Sequence, residues 1–259
     1  MSTTNAHHQG SDLSGKVALV AGGSRGIGEA IAHTLARHGA HVIVASRKLE
    51  GCEPVAAAIR AAGGSAEARR CHIGEMDQIG ETFAWLKTAH GRLDILINNG
   101  ATNVYYGPIQ DTDLAAYQKT MDVNVRGYFF MSAEAMKLMA THGGGAIVNV
   151  ASVNAVVPGM LQGVYSVTKA AVVGMTKAFA REGAPLGVRV NALLPGLTRT
   201  KLAGALLEGE TGEKWSAHIP MARAAEPDEM AGAVLYLVSP SASYTTGVSL
   251  NVDGGYLVS

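Results

Sequence analysis

The sequence predicts a doubly wound α/β domain, a parallel sheet of about seven strands with helices on both faces. Three observations predict it. Short, nearly all-apolar runs rich in Val, Ile and Leu recur along the chain, separated by longer Ala-rich stretches. The first such run is followed at once by a glycine-rich turn that opens into a helical pattern. The 259 residues contain no linker, low-complexity block or sustained repeat that would divide them. A single domain is therefore expected over residues 13–259, behind a polar, fraying tail at 1–12.

Taken in order, Lys16–Ala21 (KVALVA) reads as the first strand. Ile27–His38 reads as a helix, with Ile27, Ile31 and Leu35 at helical spacing. His41–Ala45 (HVIVA) is the second strand, followed by an Ala-rich helix around Val55–Ala62. Further strands are expected at Ala66–Cys71, Leu93–Ile97, Ala146–Ala151, Val188–Leu194 and Val248–Val252, with helices in the gaps, one of them at Gln162–Arg181. Strands buried on both faces and joined by helices must be parallel, and the crossovers must be right-handed.

Composition excludes several classes. With 47% apolar residues the chain is not disordered. Lys and Arg number 21 and Asp and Glu 21, so no basic excess points to nucleic acid. No run approaches the ~18 apolar residues of a membrane span. Two cysteines, Cys52 and Cys71, make no disulfide framework, and Met1–Gly10 lacks the apolar core of a signal peptide; a cytoplasmic setting is expected. No HExxH, CxxC or His/Cys group at zinc spacing is present, so no metal site is expected. Met131, Met136 and Met139 read as core filler, and Trp85 as a helix residue packed against the sheet. Two features depart from the average: only 16% of residues are charged, and 32 are glycine.

The chemistry begins at the glycine turn, Gly22-Gly23-Ser24-Arg25-Gly26-Ile27-Gly28. Glycines there let a pyrophosphate approach the free N–H groups of a helix N-terminus. Taken alone, a glycine-rich turn is weak evidence. The second strand ends in Ala45-Ser46-Arg47-Lys48, without the carboxylate that would bond a ribose 2′-hydroxyl. Arg25 and Arg47 suit a 2′-phosphate instead, which favours NADP over NAD. Farther on, Ser152 follows a strand, and Tyr165 and Lys169 share one helix face at i and i+4. An ammonium beside a phenol is expected to lower the phenol pKa, giving a group that exchanges a proton near neutrality. Each piece alone is commonly structural; together with a nucleotide loop they point to a redox site.

These residues resemble the short-chain dehydrogenase/reductase family over about Leu13 to Val258. Gly22, Gly26 and Gly28 match the family's glycine motif with Ala21 in place of Thr. Asn98-Asn99-Gly100-Ala101 resembles its N-N-A-G, Ser152 and Tyr165-x-x-x-Lys169 its catalytic set, and Asn124 its catalytic Asn. Pro195-Gly196 with Thr200 resembles its nicotinamide-side segment, and Asp253-Gly254-Gly255 its closing turn. The resemblance implies a Rossmann-like fold and an oxidoreductase moving a hydride between NADP(H) and a ketone or secondary alcohol. Tyr165 would be proton donor or base, Lys169 would hold the nicotinamide ribose, Ser152 would orient the carbonyl, and Asn124 would hold a relay water. The cofactor would be lined by Gly22, Ser24, Arg25, Gly26, Ile27, Gly28, Ser46, Arg47, Ile73, Asn99, Gly100, Tyr165, Lys169, Pro195, Gly196, Thr198 and Thr200. Three departures stand out: Ala21, the inverted Gly100-Ala101, and His72 where members often carry an Asp facing adenine.

The loops expected to shape the substrate pocket offer Thr102, Asn103, Tyr105, Tyr106, Val153, Met160, Leu161, Leu202, Leu206 and Trp215, a mostly apolar set suited to a medium-sized apolar ketone. Arg199 and Lys201 would instead suit an anionic substrate. A 3-oxoacyl-carrier-protein reductase is the close alternative and needs a basic docking patch, for which Arg126 and Lys137 are the candidates. A catalytically idle nucleotide sensor on the same fold is the more distant one. The resemblance also implies a homotetramer, which the low charge and the apolar helix run Ala170–Met175 favour.

Overall fold

A computed structural model describes residues 10–207 and 216–258. Seven strands, β1 (Val17–Ala21), β2 (His41–Ser46), β3 (Ser65–Arg70), β4 (Ile95–Asn98), β5 (Gly145–Val150), β6 (Val188–Pro195) and β7 (Ser249–Val252), form one sheet in the order β3-β2-β1-β4-β5-β6-β7. Every pairing is parallel. The order reverses at β1, which pairs with β2 on one side and β4 on the other. A crevice therefore opens beyond the C-terminal ends of these strands, where such sheets bind ligands.

The helices are α1 (Gly26–Arg37), α2 (Leu49–Ala61), α3 (Met76–Ala89), α4 (Leu114–Met121), α5 (Tyr128–Ala140), α6 (Gly163–Gly183), the short α7 (Gly204–Leu207) and α8 (Pro227–Val238). Because side chains alternate along a strand, β1 sends Ala18 and Val20 to one face and Val17, Leu19 and Ala21 to the other. The first face is covered by α1, α2 and α8 through Ile31, Leu35, Val55, Ile59, Val234 and Leu237. The second is covered by α3, α5 and α6 through Phe83, Leu86, Met131, Met139 and Val172. Trp85 is half-buried against this second core, with its ring under the Arg69 guanidinium.

The predicted strands are all present, with ends displaced by a residue or two where apolar runs continue into turns. The helix expected around Val55–Ala62 begins earlier, at Leu49. Pro54 removes one N–H from within α2, but Cys52 is fully buried and anchors the first turns. Residues 1–9 of the expected tail lie outside the described residues, whereas Gly10 accepts hydrogen bonds from the Ser241 hydroxyl and N–H, at 2.7 and 3.3 Å. Among the described residues no helix is long and apolar enough to cross a membrane.

At the N-terminal end of the sheet Asp94 accepts from the Val17 N–H at 2.9 Å, from Lys16 at 3.3 Å, and from both arms of Arg92. Burial alone would push Asp94 up, yet the Arg92 guanidinium, the Val17 N–H and Lys16 together hold it below the usual carboxylate value. This cluster pins β1 to β4 at the end opposite the crevice.

Candidate active site

The glycine turn leaves β1 and enters α1 with no side chain capping the helix. Its conformation depends on two glycines in particular. A Cβ on Gly28 would stand 2.1 Å from the Gly22 carbonyl oxygen and 2.6 Å from the Asn99 amide nitrogen. Gly22 sits at φ +83°, where a Cβ would meet the Gly100 nitrogen at 2.4 Å. The turn is held from both sides. Gly22 and Gly23 donate to the Ala45 carbonyl, and Asn99 and Gly100 donate to that of Ala21. The Asn99 amide also donates to the Gly22 carbonyl at 2.9 Å, supplying the tie that Ala21 lacks. At the inverted Gly100 a Cβ would meet only the tip of Ile73, at 3.2 Å, and Gly22 at an ordinary 3.6 Å, so the close approach of the two turns rests on Gly22.

The other expected residues gather on the same edge. Ile73 packs under Gly100, Ser24 lies against Gly51 at the start of α2, and the Thr200 methyl lies 3.3 Å from where a Gly26 Cβ would be. Gly196, just past Pro195, is pinned by its N–H to the Val252 carbonyl, and a Cβ there would strike Asp253. Thr198 is buried and donates to the Gly196 carbonyl, and Thr200 caps a short turn through Ala203. Arg25 and Arg47 are exposed, and among the described residues neither is tied up in an ion pair. The Ser46 hydroxyl is turned toward the Lys48 carbonyl and the Cys52 sulfur, at 3.0 and 3.1 Å.

His72 lies past β3, near Arg47. Its Nδ1 accepts from the Gly74 N–H at 3.0 Å, which requires an unprotonated nitrogen there. Burial pushes its pKa down, and the Lys119 and Arg47 cations push the same way against Glu75; the bond at Nδ1 places the ring proton on Nε2.

A chain of contacts joins the glycine turn to Tyr165. Asn124 sits in a π-helical turn, Asp122–Gly127, between α4 and α5, and such turns often mark functional sites. Its Oδ1 accepts from the Thr102 N–H at 2.9 Å. Its Nδ2 donates to the Thr102 carbonyl at 2.8 Å and to the Thr168 hydroxyl at 3.1 Å. Thr168 in turn donates to the Tyr165 carbonyl. The Asn124 side chain is thus engaged at both its oxygen and its nitrogen.

Lys169, only 1% exposed, donates to the Val150 carbonyl at 2.8 Å. Its ammonium stands 5.5 Å from the Tyr165 ring and 5.3 Å from the ring of Tyr128. Burial lowers the Lys169 pKa to about 7. Burial also raises the Tyr165 pKa to about 12, and the Ser152 hydroxyl beside it pulls only partly the other way. The expectation that Lys169 lowers the Tyr165 pKa is therefore reversed in the protein alone. The ammonium is itself desolvated and directed at a carbonyl, so burial outweighs the attraction. Ser152 leaves β5 in extended backbone and accepts from the Asn154 N–H.

Sequence reasoning missed Tyr128. It is fully buried, and its hydroxyl donates at 3.3 Å to the same Val150 carbonyl that holds Lys169. It also missed a buried polar ladder beneath the site. Asn98 donates to Ser132 and to Asn149, and Asn149 donates to Thr176. Only its pair of strand-internal Asn residues could have signalled it.

The substrate side is apolar where it is described. Met160 is 79% exposed and Val153 is buried. Leu161 holds a left-handed φ of 62° that suits glycine better, fixed by the Gly107 N–H on its carbonyl. The Leu206 side chain and Trp215 lie outside the described residues. Arg199 pairs with Glu226 at 3.0 Å rather than standing free. Arg126 is spent on Asp122 and the Gly74 carbonyl, and Lys137 on Glu134.

A doubly wound parallel sheet, a glycine turn opening into an uncapped helix, and a Tyr/Lys pair at its C-terminal edge define a nucleotide-dependent oxidoreductase class. The family model described as enoyl-(acyl carrier protein) reductase matches residues 21–257. The chain belongs to the short-chain dehydrogenase/reductase family and is an NAD(P)-dependent dehydrogenase/reductase by descent. It is 38% identical over 244 residues to human dehydrogenase/reductase SDR family member 4, covering 94% of this chain and 88% of that protein. It is also 38% identical to the 2,5-dichloro-2,5-cyclohexadiene-1,4-diol dehydrogenase of Sphingobium indicum, covering 95% and 98%. Its fold matches a Burkholderia cenocepacia gluconate 5-dehydrogenase in complex with NADP and tartrate, with TM-score 0.94, 29% identity, and 98% and 99% of the chains covered.

Proposed function

We propose that the protein interconverts apolar ketones and secondary alcohols with NADP(H), using Tyr165 as the proton-transferring group. The observation that carries this is the juxtaposition of Tyr165, Ser152 and a Lys169 ammonium fixed by the Val150 carbonyl. The residues around the turn fit a dinucleotide: the first turn of α1 is uncapped, and Gly22 and Gly28, where a Cβ would strike the neighbouring backbone, let the turn close tightly against Asn99 and Gly100. Gly22, Ser24, Gly26, Ile27 and Gly28 would hold the pyrophosphate side. Ile73, Asn99 and Gly100 would line the adenosine, and Pro195, Gly196, Thr198 and Thr200 the nicotinamide end. When bound, the cofactor supplies the hydride. The unpaired Arg25 and Arg47, and the lack of a carboxylate at the end of β2, support the 2′-phosphate form, and the related gluconate 5-dehydrogenase was solved with NADP.

In reduction, Ser152 donates a hydrogen bond to the carbonyl oxygen, and Tyr165 gives it a proton as charge develops there. Lys169, titrating near neutrality, returns a proton to the phenolate. Asn124 holds the solvent molecule that resupplies Lys169. Val153, Met160, Leu161 and Leu202 favour an apolar substrate. The engagement of Arg126 and Lys137 argues against a carrier-protein dock, and the pairing of Arg199 with Glu226 leaves Lys201 as the cation that an anionic substrate would meet. Exposed Leu114, Phe129, Phe130 and Val167 support a homotetramer, and the two free, buried cysteines suit a reducing cytoplasm.

A screen at 340 nm with NADPH and NADH over a ketone panel tests the reading. We expect NADPH to be preferred and Tyr165→Phe to lose turnover by roughly 10³-fold while still binding cofactor. Near-normal turnover in that variant would overturn it.

A further inference from the structure

Away from the crevice, three residues from three elements converge on one atom. His41 begins β2, Glu67 lies mid-way along β3, and His90 follows the C-terminal end of α3. The Nε2–H of His41 and that of His90 both donate to Glu67 Oε1, at 2.9 and 2.7 Å. The three ligand-capable atoms all lie within 4.8 Å of one another, and no ion is present. The imidazoles are oriented from behind. His41 Nδ1 meets the Ser65 hydroxyl at 2.7 Å, and the His90 ring stands edge-on to Trp85 at 5.1 Å. Both rings are partly open to solvent, at 29% and 18% exposure, so an ion could enter.

We propose that His41, Glu67 and His90 form a site for a divalent transition metal, Zn²⁺ foremost. Two imidazoles and one carboxylate are a known zinc ligand set, with water completing the tetrahedron. Tetrahedral zinc separates its ligand atoms by about 3.3 Å. The two N–O spacings must therefore open by a few tenths of an ångström, a change within side-chain rotation. Binding also requires each Nε2 to present a lone pair. For His41 this is a tautomer swap: the proton moves to Nδ1, and Ser65 changes from donor to acceptor, which a hydroxyl does without moving. Arg69, stacked on Trp85, is the nearby cation that works against the ion, while the carboxylate of Glu67 works for it. The ligands come from positions 41, 67 and 90, so no local spacing announces them, and the expectation of no metal site rested on such spacings alone. A bound ion would fasten the edge strand β3 to β2 and α3 at the end of the sheet remote from Arg47 and Tyr165.

The test is a titration of the untagged, chelator-stripped chain with zinc chloride against a chromophoric competitor, paired with thermal melts. We expect one tight equivalent per chain and a melting rise of several degrees, both retained in the double variant His7→Ala/His8→Ala. Affinity should fall at least ~100-fold in His90→Gln and in Glu67→Gln, and the melting rise should vanish in both. Activity without added zinc should be unchanged in all of them. Absence of a tight equivalent, its survival in both His90→Gln and Glu67→Gln, or its loss in the tail variant would overturn the proposal.

Discussion

Replacing Gly28 with Ala adds one methyl group at a place where the structure has no room for it. The new Cβ would lie 2.1 Å from the Gly22 carbonyl oxygen and 2.6 Å from the Asn99 nitrogen, and real contacts essentially never fall below 3.0 Å. The start of α1 and the glycine turn must part by nearly 1 Å, and the neighbours are backbone and a bonded amide rather than a flexible tip. Overpacking of this kind costs about 1–3 kcal/mol. For a chain of this size that is roughly 2–12 °C in melting temperature. The displaced groups are also the ones proposed to face the pyrophosphate, and an error of about 1 Å in such a site costs roughly 10²-fold. Fluorescence titration with NADPH should therefore show affinity 10- to 100-fold weaker, about 1.4–2.8 kcal/mol. Gly80→Ala is the control, because it lies within α3 with nothing near its missing Cβ. It should bind normally and melt slightly higher, by up to ~1 kcal/mol of added stability. If Gly28→Ala binds NADPH and melts like the unaltered protein, the steric argument for this turn is wrong.

Arg47→Ala should weaken NADPH by at least ~10-fold while changing NADH little, since a charge-assisted bond to phosphate is lost. Equal losses by fluorescence titration would assign Arg47 another role. Lys169→Met should abolish turnover yet stabilise the fold at pH 7. Lys169 titrates at about 7 in the fold against 10.5 in the open chain, so the unfolded state binds the extra proton between those values. The advantage of the variant, on the order of a few kcal/mol, should be fully present at pH 7 and below and shrink as pH rises toward 10.5. Melts across that range would refute it if the gap widened with pH. Asp94→Ala should cost about 1–3 kcal/mol in a urea titration, chiefly by leaving the buried Val17 N–H without an acceptor, while leaving the specific activity of folded enzyme intact.

Much of this was legible in the chain. Near-continuous apolar runs such as HVIVA can only be strands buried on both faces, and Gly22, Gly26 and Gly28 mark a turn with no space for side chains. Tyr165 and Lys169 were legible because a helix fixes i and i+4 on one face. What depends on which atoms end up buried together was not. The direction of the Tyr165 shift follows from desolvation, which no spacing encodes. The full engagement of Asn124 follows from a π turn, whose extra residue leaves no periodic trace. Tyr128 looks like any apolar helix residue in the sequence; only the fold puts its hydroxyl on the Val150 carbonyl that holds Lys169 and its ring 5.3 Å from that ammonium. The early start of α2 at Leu49 was not legible either, since the helix runs through Pro54 on the strength of the burial of Cys52 and Val55.

The strand order has a consequence for how the chain comes into being. β1 is made first, yet its neighbour β4 ends at Asn98, and α1 packs against α8, which ends at Val238. A nascent chain emerging from the ribosome must therefore carry the apolar flank of its first helix uncovered until α8 has been made. Pairings of such sequence separation close slowly and leave sticky intermediates. The same topology that assembles one crevice from residues 22 to 200 makes loss of α8 a defect of the whole fold rather than of one edge.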